Sequence, residues 1–472
     1  MNRKQRRAES KSTGLHALPP ASQQAFAAAL QLHKTSRIQE AEHLFNQIIA
    51  RHPNHSDSLH LLGIIAYQTR RPDLAATLIR KVITLNPNDA SAHSNLGNLL
   101  LQQGKFEDAV TRYRKSIALN PAFGPAHNNM GNALRALKQF DASIESFQNA
   151  LELNPNDPEA HYNFSMVLLA TGDYPAGWAQ HEWRFKTPQL VGADRKFPQP
   201  QWQGEAAAGK TLLIHAEQGF GDSLQFCRFI PQATEKNLRI ILEVPQPLIR
   251  LFKSLPGIDQ LIANGDPLPA FDLHCPMMSL PHALKTTLAN LPATTPYLCA
   301  DPQESESWHA RLQSLNNPNP RIGLVWAGNP RRQHFLLEAT DKRRSIPVEQ
   351  LAPLFTIPNL HFISLQKDGP PPPANFPLTD FMPEIQDWAA TAALMENLDL
   401  IISVDTAPAH LAGALNKPVW LLDRFDPCWR WLHSRTDSPW YLNHKIYRQP
   451  KPGDWTSVIT NIRPDLATFS LV

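Results

Sequence analysis

A repeat of 34 residues in the N-terminal part of the chain constrains its fold more than any other feature. Proline recurs at this interval, and columns of glycine and alanine recur with the same period. Proline ends helices because it lacks an amide hydrogen, whereas small residues allow two helices to cross closely. The period predicts five pairs of antiparallel helices, at about 22–55, 56–89, 90–123, 124–157 and 158–186. The columns are Pro53, Pro87, Pro121 and Pro155; Gly63, Gly97 and Gly131; and Ala41, Ala75 and Ala109.

These columns resemble the tetratricopeptide repeat, and the small-residue column continues through Ser143 and Gly177. One such repeat cannot bury its apolar face alone, so successive repeats stack into a solenoid with a concave groove. We therefore expect an α-solenoid over residues 22–186. Residues 1–21 contain five basic side chains and one acidic side chain, and they are expected to form a basic flexible tail.

Asparagine forms a further column on the first helix of successive repeats. It is a poor interior helix residue, so its repetition needs a reason. An amide both donates and accepts hydrogen bonds, which matches a peptide backbone. Two hypotheses stay open. In the first, the column grips an extended polypeptide; a similar ladder is a feature of the repeats in the O-GlcNAc transferases. In the second, the column ties neighbouring repeats together. The column comprises Asn95, Asn129 and Asn163, with Asn98 and Asn132 one turn on. The parallel column His93, His127 and His161 is interpreted as packing.

The composition argues against several classes of protein. The 472 residues are too many for one core, and the net charge is only +3, so a nucleic-acid footprint is not expected. No apolar run suits a transmembrane helix or a secretory signal. The four cysteines are widely spaced without Cys-x-x-Cys, which argues against a zinc site or a disulfide framework. These features predict a cytoplasmic protein.

Residues 187–208 are irregular and contain proline and glycine, so they are predicted to form a linker. The segment Gly204–Thr211 fits the phosphate-binding pattern Gly-x-x-x-x-Gly-Lys-Ser/Thr. A phosphate-binding loop follows a strand and begins a helix. Here an apolar strand-like segment comes after the pattern and none precedes it, so the match is interpreted as coincidental.

From Thr211 onward, short apolar segments alternate with helical stretches in two series. Such alternation is typical of parallel sheets, and two series predict two Rossmann-like α/β halves with a ligand between them at the carboxyl ends of the strands. The predicted halves are 209–318 and 319–445, and residues 446–472 are expected to return to the first half. The segments begin at Thr211, Arg239, Ile258 and Phe271 in the first series and at Arg321, Leu360, Leu398 and Pro418 in the second.

The first strand leads into the turn Gln-Gly-Phe-Gly-Asp. Gly219 and Gly221 allow the backbone to turn sharply and to approach a ligand, and Asp222 follows at the start of a helix. No third glycine stands in register, so this is not the dinucleotide-binding fingerprint. Two interpretations of Asp222 stay open at this point: a helix cap or a catalytic carboxylate.

The second notable turn lies in Asp-Thr-Ala-Pro-Ala-His-Leu-Ala-Gly, between two strand segments. Asp405 and Thr406 are predicted to cap the helix that follows, and Pro408 suits its first turn. The amide groups and the dipole of that helix would then form an anion site suited to a diphosphate. His410 either reaches the same anion or is a core residue.

Together the two turns resemble glycosyltransferase family 9, typified by ADP-heptose:lipopolysaccharide heptosyltransferases. The resemblance implies the GT-B fold, inversion at the anomeric carbon, and no need of a metal or a cofactor. It implies a catalytic role for Asp222, which follows Gly221. It also implies donor diphosphate contacts from Asp405, Thr406 and His410.

One position departs from the family pattern, because Ala407 stands where the family has glycine and leaves less room for a diphosphate. The chain contains no Asp-x-Asp, the pair that holds the divalent ion in metal-dependent GT-A enzymes. Weaker donor-binding candidates are Asn329, Arg344 in a basic cluster with Lys342 and Arg343, and Gln366. Arg430, Asp437 and Trp440 either line the cleft or pack in the interior.

The sequence therefore predicts a tetratricopeptide solenoid followed by a GT-B pair of Rossmann-like domains. The function expected from it is an inverting, metal-independent glycosyltransferase that uses a nucleotide-diphosphate sugar, with the repeats presenting a polypeptide or another extended acceptor. One alternative is a UDP-GlcNAc-type protein O-glycosyltransferase. Another, from a different class, is a repeat adaptor whose transferase domain is inactive.

Overall fold

A computed structural model of the chain describes residues 18–188, 190–330, 335–367 and 371–469, apart from the side chains of residues 191 and 335–337. The chain divides into two compact units between Asn156 and Asp157. We call them the repeat unit and the α/β unit and describe each by itself. Most of the predicted basic tail lies outside the described residues. Within them, no helix combines the length and apolar character needed to cross a bilayer.

The repeat unit is a tetratricopeptide solenoid whose eight described helices pack in consecutive pairs. Each second helix ends two residues before a repeating proline, as the sequence predicts. The four pairs match the first four predicted repeats. The helices are α1 (Pro20–Lys34), α2 (Ile38–Arg51), α3 (Ser56–Gln68), α4 (Pro72–Leu85), α5 (Ala90–Gln102), α6 (Phe106–Leu119), α7 (Gly124–Ala136) and α8 (Phe140–Leu153).

The small-residue columns lie where the two helices of a repeat cross. A Cβ atom at Gly97 would lie 2.6 Å from Cε1 of Tyr113, and one at Gly131 would lie 2.8 Å from the ring of Phe147. Ala109 is completely buried in the same row of contacts. The glycine column is therefore small because a large side chain of the second helix occupies the space that a side chain would need.

The histidine column closes the turns between repeats. In His93 and His127 the Nε2 atom is hydrogen-bonded to a proline carbonyl six residues earlier, at 3.0 Å in both cases. The acceptors are Pro87 and Pro121. The bonds satisfy carbonyl groups in the turns where the prolines stop the helices, which agrees with the packing interpretation.

The α/β unit contains two parallel sheets, one in each predicted half. The first has the order β3-β2-β1-β4 and the second the order β10-β9-β8-β5-β6-β7. Strands β1, β5 and β8 are almost wholly buried, as expected for parallel sheets covered on both faces. The strands are β1 (Thr211–His215), β2 (Arg239–Val244), β3 (Gln260–Ala263), β4 (Leu273–Pro276), β5 (Arg321–Val325), β6 (His361–Ser364), β7 (Leu378–Asp380), β8 (Leu400–Val404), β9 (Val419–Asp423) and β10 (His444–Arg448).

Helices follow most of these strands and cover the sheets. All eight predicted strand segments are present, whereas β7 and β10 were not expected. In chain order the helices of this unit are α9 (Pro158–Thr171), α10 (Tyr174–His181), α11 (Phe220–Phe226), α12 (Ile230–Thr234), α13 (Ile249–Phe252), α14 (Leu280–Ala283), α15 (Pro302–Gln313), α16 (Phe335–Arg344), α17 (Trp388–Glu396), α18 (Ala407–Ala414) and α19 (Trp455–Phe469).

The fifth predicted repeat, α9 and α10, belongs to the α/β unit rather than to the repeat unit. Its Trp178 is buried and packs edge-on against Phe226, at 5.9 Å, and Trp429, at 5.3 Å between ring centroids. These rings come from both halves and share one hydrophobic core with both sheets. The aromatic side chains of the fifth repeat thus fill part of the core of the α/β unit, and the predicted domain boundary at residue 186 stays a prediction.

Two other segments also differ in the structure from their prediction. The predicted linker 187–208 packs against the first sheet, where Trp202 is fully buried and its amide donates to the carbonyl of His274 at 2.8 Å. Of the predicted return segment 446–472, the described residues 446–469 pack on the second half instead of the first. Its first residues extend β10 beside β9, and Ile462 of helix α19 is buried in a cluster with Leu354 and Ile322 of the second half.

We predict that Gly97→Ala destabilises the repeat unit by about 1–3 kcal/mol, because the added methyl group collides with the ring of Tyr113. Gly124→Ala is the matched control, since its nearest neighbour would be 4.0 Å away and its φ is not positive. It should change the stability by less than about 1 kcal/mol. Urea unfolding of residues 1–156, followed by circular dichroism, measures both. Equal effects would contradict the close crossing.

Candidate functional site

The two turns singled out in the sequence meet in the structure. Helix α11 follows β1 and helix α18 follows β8, so both begin near the carboxyl ends of their strands. The two helices pack against each other. A Cβ atom at Gly221 would lie 3.1 Å from Cδ2 of His410 and 3.4 Å from Cα of Ala407. Gly221 is therefore small because the two halves of the α/β unit touch at this position.

Asp222 lies on the first turn of α11 and is held on both oxygens. Its Oδ2 accepts a hydrogen bond from the amide of Gly219 at 3.0 Å. Its Oδ1 accepts from Nη2 of Arg430 at 2.5 Å. The residue is the third of the helix and Gly219 is the cap, so Asp222 supplies the returning half of a capping box rather than the cap itself. Its side chain keeps 23 % exposure.

Arg430 links Asp222 to the second half. It is buried, and its Nε donates to Oε1 of Gln225 while its Nη1 donates to Sγ of Cys428 at 3.3 Å. The guanidinium carbon lies 4.4 Å from the ring centroid of Trp429. From the sequence, two interpretations of this segment were open: it lines the cleft or it packs in the interior. The signal that it contained a site residue is the arginine itself, because a buried cation among tryptophans requires a partner.

The predicted caps of α18 are wrong. Thr406 is the N-cap residue, but its side chain makes no capping bond and instead donates to the carbonyl of Val404 at 3.1 Å. Asp405 accepts a hydrogen bond from Nε1 of Trp431 at 2.9 Å. The first amide groups of α18 consequently have no side-chain cap. This leaves the end of the helix dipole at Ala407 without a side-chain acceptor.

His410 is buried within an aromatic cluster. Its Nδ1 is hydrogen-bonded to the hydroxyl of Tyr441 at 3.0 Å, and its ring stacks on Trp431 with centroids 5.4 Å apart. Burial lowers the pKa of His410 well below its usual value, and the charges of Arg430 and Arg228 act in the same direction. The ring is therefore neutral. His410 is thus a core residue that also packs directly against Gly221.

The arginine predicted as a donor ligand lies beside the same turn. Nη1 of Arg344 donates to the carbonyl of Asp405 at 3.1 Å, and Nη2 lies 2.8 Å from Oδ1 of Asp341. A Cβ atom at Gly328 would collide with both side chains of that ion pair. The rest of the basic cluster points to other partners. Lys342 pairs with Glu338 at 2.9 Å, and Arg343 pairs with Asp426 at 3.2 Å.

Gln366 supports the loop after β5. Its Oε1 accepts from the amides of Trp326 and Ala327, at 3.0 and 2.8 Å, and its Nε2 donates to the carbonyl of Ala327. Asn329 is exposed in the same loop. The amide of Gln366 therefore holds the backbone that follows the strand, and its predicted contact with a donor ribose stays a prediction.

A buried charge network reaches this region from the fifth repeat. Arg184 is completely buried and pairs with Glu217 at 2.9 Å and with Glu182 at 2.8 Å. Burial raises the pKa of Glu217 to about 7, against the opposing effect of Arg184. Ser279 donates to Glu182 and accepts from Arg184. The sequence analysis missed this network, because its members lie in segments assigned to different domains.

In the repeat unit the asparagine column joins neighbouring repeats. Nδ2 of Asn129 donates to Oδ1 of Asn98 at 2.9 Å, and Asn95 is hydrogen-bonded to Nε2 of His60 at 2.6 Å. Asn98 also accepts from the hydroxyl of Tyr113. Asn132 lies half-buried on α7, and Asn163 lies in the other unit. The bonds match the hypothesis that asparagine ties repeats together, and gripping of a polypeptide stays a prediction.

Models of known families match both the N-terminal and the C-terminal part of the chain. Tetratricopeptide-repeat models match residues 26–90, 78–111, 97–135 and 131–172. The N-terminal region is a tetratricopeptide-repeat array. The model of glycosyltransferase family 9 (heptosyltransferase) matches residues 381–422, which include β8, α18 and most of β9. The match thus contains Asp405, Thr406, Ala407 and His410 and ends before Arg430.

Similar proteins are found among curated sequences and solved structures. Protein FlbA of Caulobacter vibrioides is 26 % identical over 340 residues, which cover 64 % of this chain and 54 % of FlbA. The chain therefore spans about half the length of this curated relative. PilF of Pseudomonas aeruginosa is 20 % identical, and the match covers 35 % of this chain and 76 % of the PilF chain, with a TM-score of 0.33. TTC0263, a TPR protein of Thermus thermophilus, is 19 % identical, and the match covers 36 % of this chain and 92 % of TTC0263, with a TM-score of 0.32.

We predict that Asp222→Asn lowers the unfolding free energy by roughly 1–3 kcal/mol, because an amide cannot accept from both Gly219 and Arg430. The loss should be smaller in an Arg430→Gln background, with a coupling of about 0.5–3 kcal/mol in the double-mutant cycle. Asp437→Asn is the control, since its pair with Arg435 is exposed, and should cost less than about 1 kcal/mol. Equal losses in both backgrounds would show that the ion pair contributes nothing.

Proposed function

We propose that the chain is a glycosyltransferase that transfers a sugar from a nucleotide diphosphate, with inversion and without a metal. The observation that carries the proposal is the contact of Gly221 with Ala407 and His410. It brings together the two motifs that resemble glycosyltransferase family 9, although they are far apart in sequence. The family match over residues 381–422 supports the same conclusion.

The donor diphosphate is proposed to bind at the beginning of α18. Its first amide groups lack a side-chain cap, and a helix N-terminus attracts anions. Arg344 adds a positive charge at this turn through its bond to the carbonyl of Asp405. The helix and the guanidinium would stabilise the charge that develops on the leaving diphosphate. The methyl group of Ala407 narrows the space, which favours a diphosphate bound along the helix end.

Asp222 is proposed to take the proton of the acceptor hydroxyl. A carboxylate offers about four acceptor positions, and the amide of Gly219 and the guanidinium of Arg430 use two of them. The acceptor oxygen attacks the anomeric carbon as the bond to the diphosphate breaks, and general-base assistance of this kind typically contributes 10²–10⁴-fold. Arg430 would keep the carboxylate in one orientation during the step.

The repeat unit is proposed to bind an extended acceptor, such as a polypeptide. Its asparagines join neighbouring repeats through one side of the amide, as in the bond from Asn129 to Asn98. They remain half-buried rather than fully buried, so part of each residue is accessible to a ligand. The same column favours, as a second candidate, a protein O-glycosyltransferase that uses UDP-GlcNAc. An adaptor with an inactive transferase domain is the alternative from another class.

We predict that at least one of the ADP-, UDP-, GDP- and dTDP-sugars raises the melting temperature of the purified chain, because a ligand that binds only the folded state stabilises it by mass action. Release of the nucleotide diphosphate from that donor should continue in EDTA. Loss of release in EDTA, restored by manganese, would contradict the metal-free proposal. If no donor binds, the proposed transferase activity is wrong.

Two variants of helix α16 locate the donor in the same assay. Arg344→Gln should weaken the binding of that donor by about 10-fold or more, because a hydrogen bond to a charged group is lost. Lys342→Gln is the matched control: its side chain is 75 % exposed and pairs within its own helix. Equal affinities of the two variants would remove Arg344 from the donor site.

We predict that a chain beginning at Asp157 keeps donor binding and nucleotide release but loses transfer to a macromolecular acceptor. The boundary preserves the fifth repeat, whose Trp178 and Arg184 are buried in the α/β unit. A second chain beginning at residue 190 should fail to fold for the same reason. Radiolabelled sugar transfer to cellular acceptor fractions measures the difference. Unchanged transfer by the shorter chain would exclude the repeat unit from acceptor recognition.

A further inference from the structure

The fifth repeat lies against the proposed site, although no motif of the α/β halves includes it. Helix α9 packs against the short turn Trp429–Trp431, which carries Arg430. At the other end of the helix, the carbonyl of Ala170 lies 3.3 Å from Nδ1 of His433. Helix α9 is thus held beside the guanidinium that binds Asp222.

Tyr162, on this helix, interacts electrostatically with both members of the ion pair. It is half-buried, and its ring lies 5.6 Å from the ring of His181. The charges of Asp222, Arg184 and Arg430 all act on its hydroxyl group. Tyr162 therefore shares the environment of the proposed base, while its backbone belongs to a repeat.

The hydroxyl of Tyr162 makes no hydrogen bond within the described part of the chain, although the charges of three side chains act on it. Burial raises the pKa of Tyr162, the negative charge of Asp222 raises it further, and the two arginines oppose this shift. The phenol thus stays protonated near neutral pH. It offers one donor and an acceptor to a ligand.

The corresponding positions of the repeat unit are also polar. A spacing of 34 residues places Tyr162 in one column with His60, Ser94 and Asn128. In that column His60 is hydrogen-bonded to Asn95. Tyr162 is the only tyrosine of the four, and it is the one that lies in the α/β unit together with Asp222.

We propose that Tyr162 binds the acceptor, its hydroxyl group holding the attacking oxygen against Asp222. The proposal rests on the transferase function proposed above. In the transfer, the acceptor oxygen forms a bond to the anomeric carbon, and the bond from that carbon to the diphosphate oxygen breaks. The electron pair leaves with the diphosphate and the acceptor proton goes to Asp222. Tyr162 neither gains nor loses a proton, and its role is to orient the acceptor.

The test uses the full chain and the ADP-, UDP-, GDP- or dTDP-sugar that gives the largest thermal shift, with water as the acceptor. Tyr162→Phe should lower the turnover number for nucleotide release about 10-fold, through loss of a hydrogen bond to the reacting oxygen. The thermal shift produced by the donor should stay unchanged. The melting temperature without donor should also stay unchanged, because the hydroxyl has no partner in the described structure.

Tyr174→Phe is the matched control. This tyrosine is also in the fifth repeat, but its ring is completely buried between Trp178 and Trp440. Its turnover should equal that of the wild type. A Tyr162→Phe variant with full turnover, or with a lowered melting temperature, would overturn the role of Tyr162 and leave the transferase proposal intact. Absence of both binding and nucleotide release in the wild type would overturn the two proposals together.

Discussion

The close contact between α11 and α18 is the constraint on which the rest of the site depends. Because the two helices meet at Gly221, where even a Cβ atom would be tightly packed, the carboxyl ends of β1 and β8 are brought to one place. This contact places Asp222 within reach of Arg430 and sets Ala407 and His410 against the first motif. Residues from both halves thus form one set of contacts rather than two facing surfaces.

Much of the fold could be predicted because its signals are local. The 34-residue period fixed the helix pairs, and eight apolar segments marked eight strands. Strand β7 escaped prediction because it has only three residues, and β10 because lysine and arginine interrupt its apolar pattern. The destination of α19 was predicted incorrectly. Its apolar face marks it as a covering helix, but nothing in its residues selects one sheet over the other.

The site was predictable only in part, because its motifs are local and their partners are distant. Gly221, Asp405 and His410 lie in recognisable turns. Arg430 is 208 residues from Asp222, and no spacing rule connects them. The pairing of Arg184 could not be predicted for the same reason, since Arg184 lies at the end of the fifth repeat and its partner Glu217 follows the first strand. The buried charges themselves were the available clue, because an unpaired arginine does not persist in a core.

The division after Asn156 makes the protein modular. Every residue proposed for donor binding and proton transfer lies after that point, and the last repeat is already part of the same core. Whole repeats of the preceding array can therefore be gained or lost during evolution without rebuilding the chemistry. The length of the proposed acceptor surface and the identity of the proposed reaction would then be separately adjustable properties of one polypeptide.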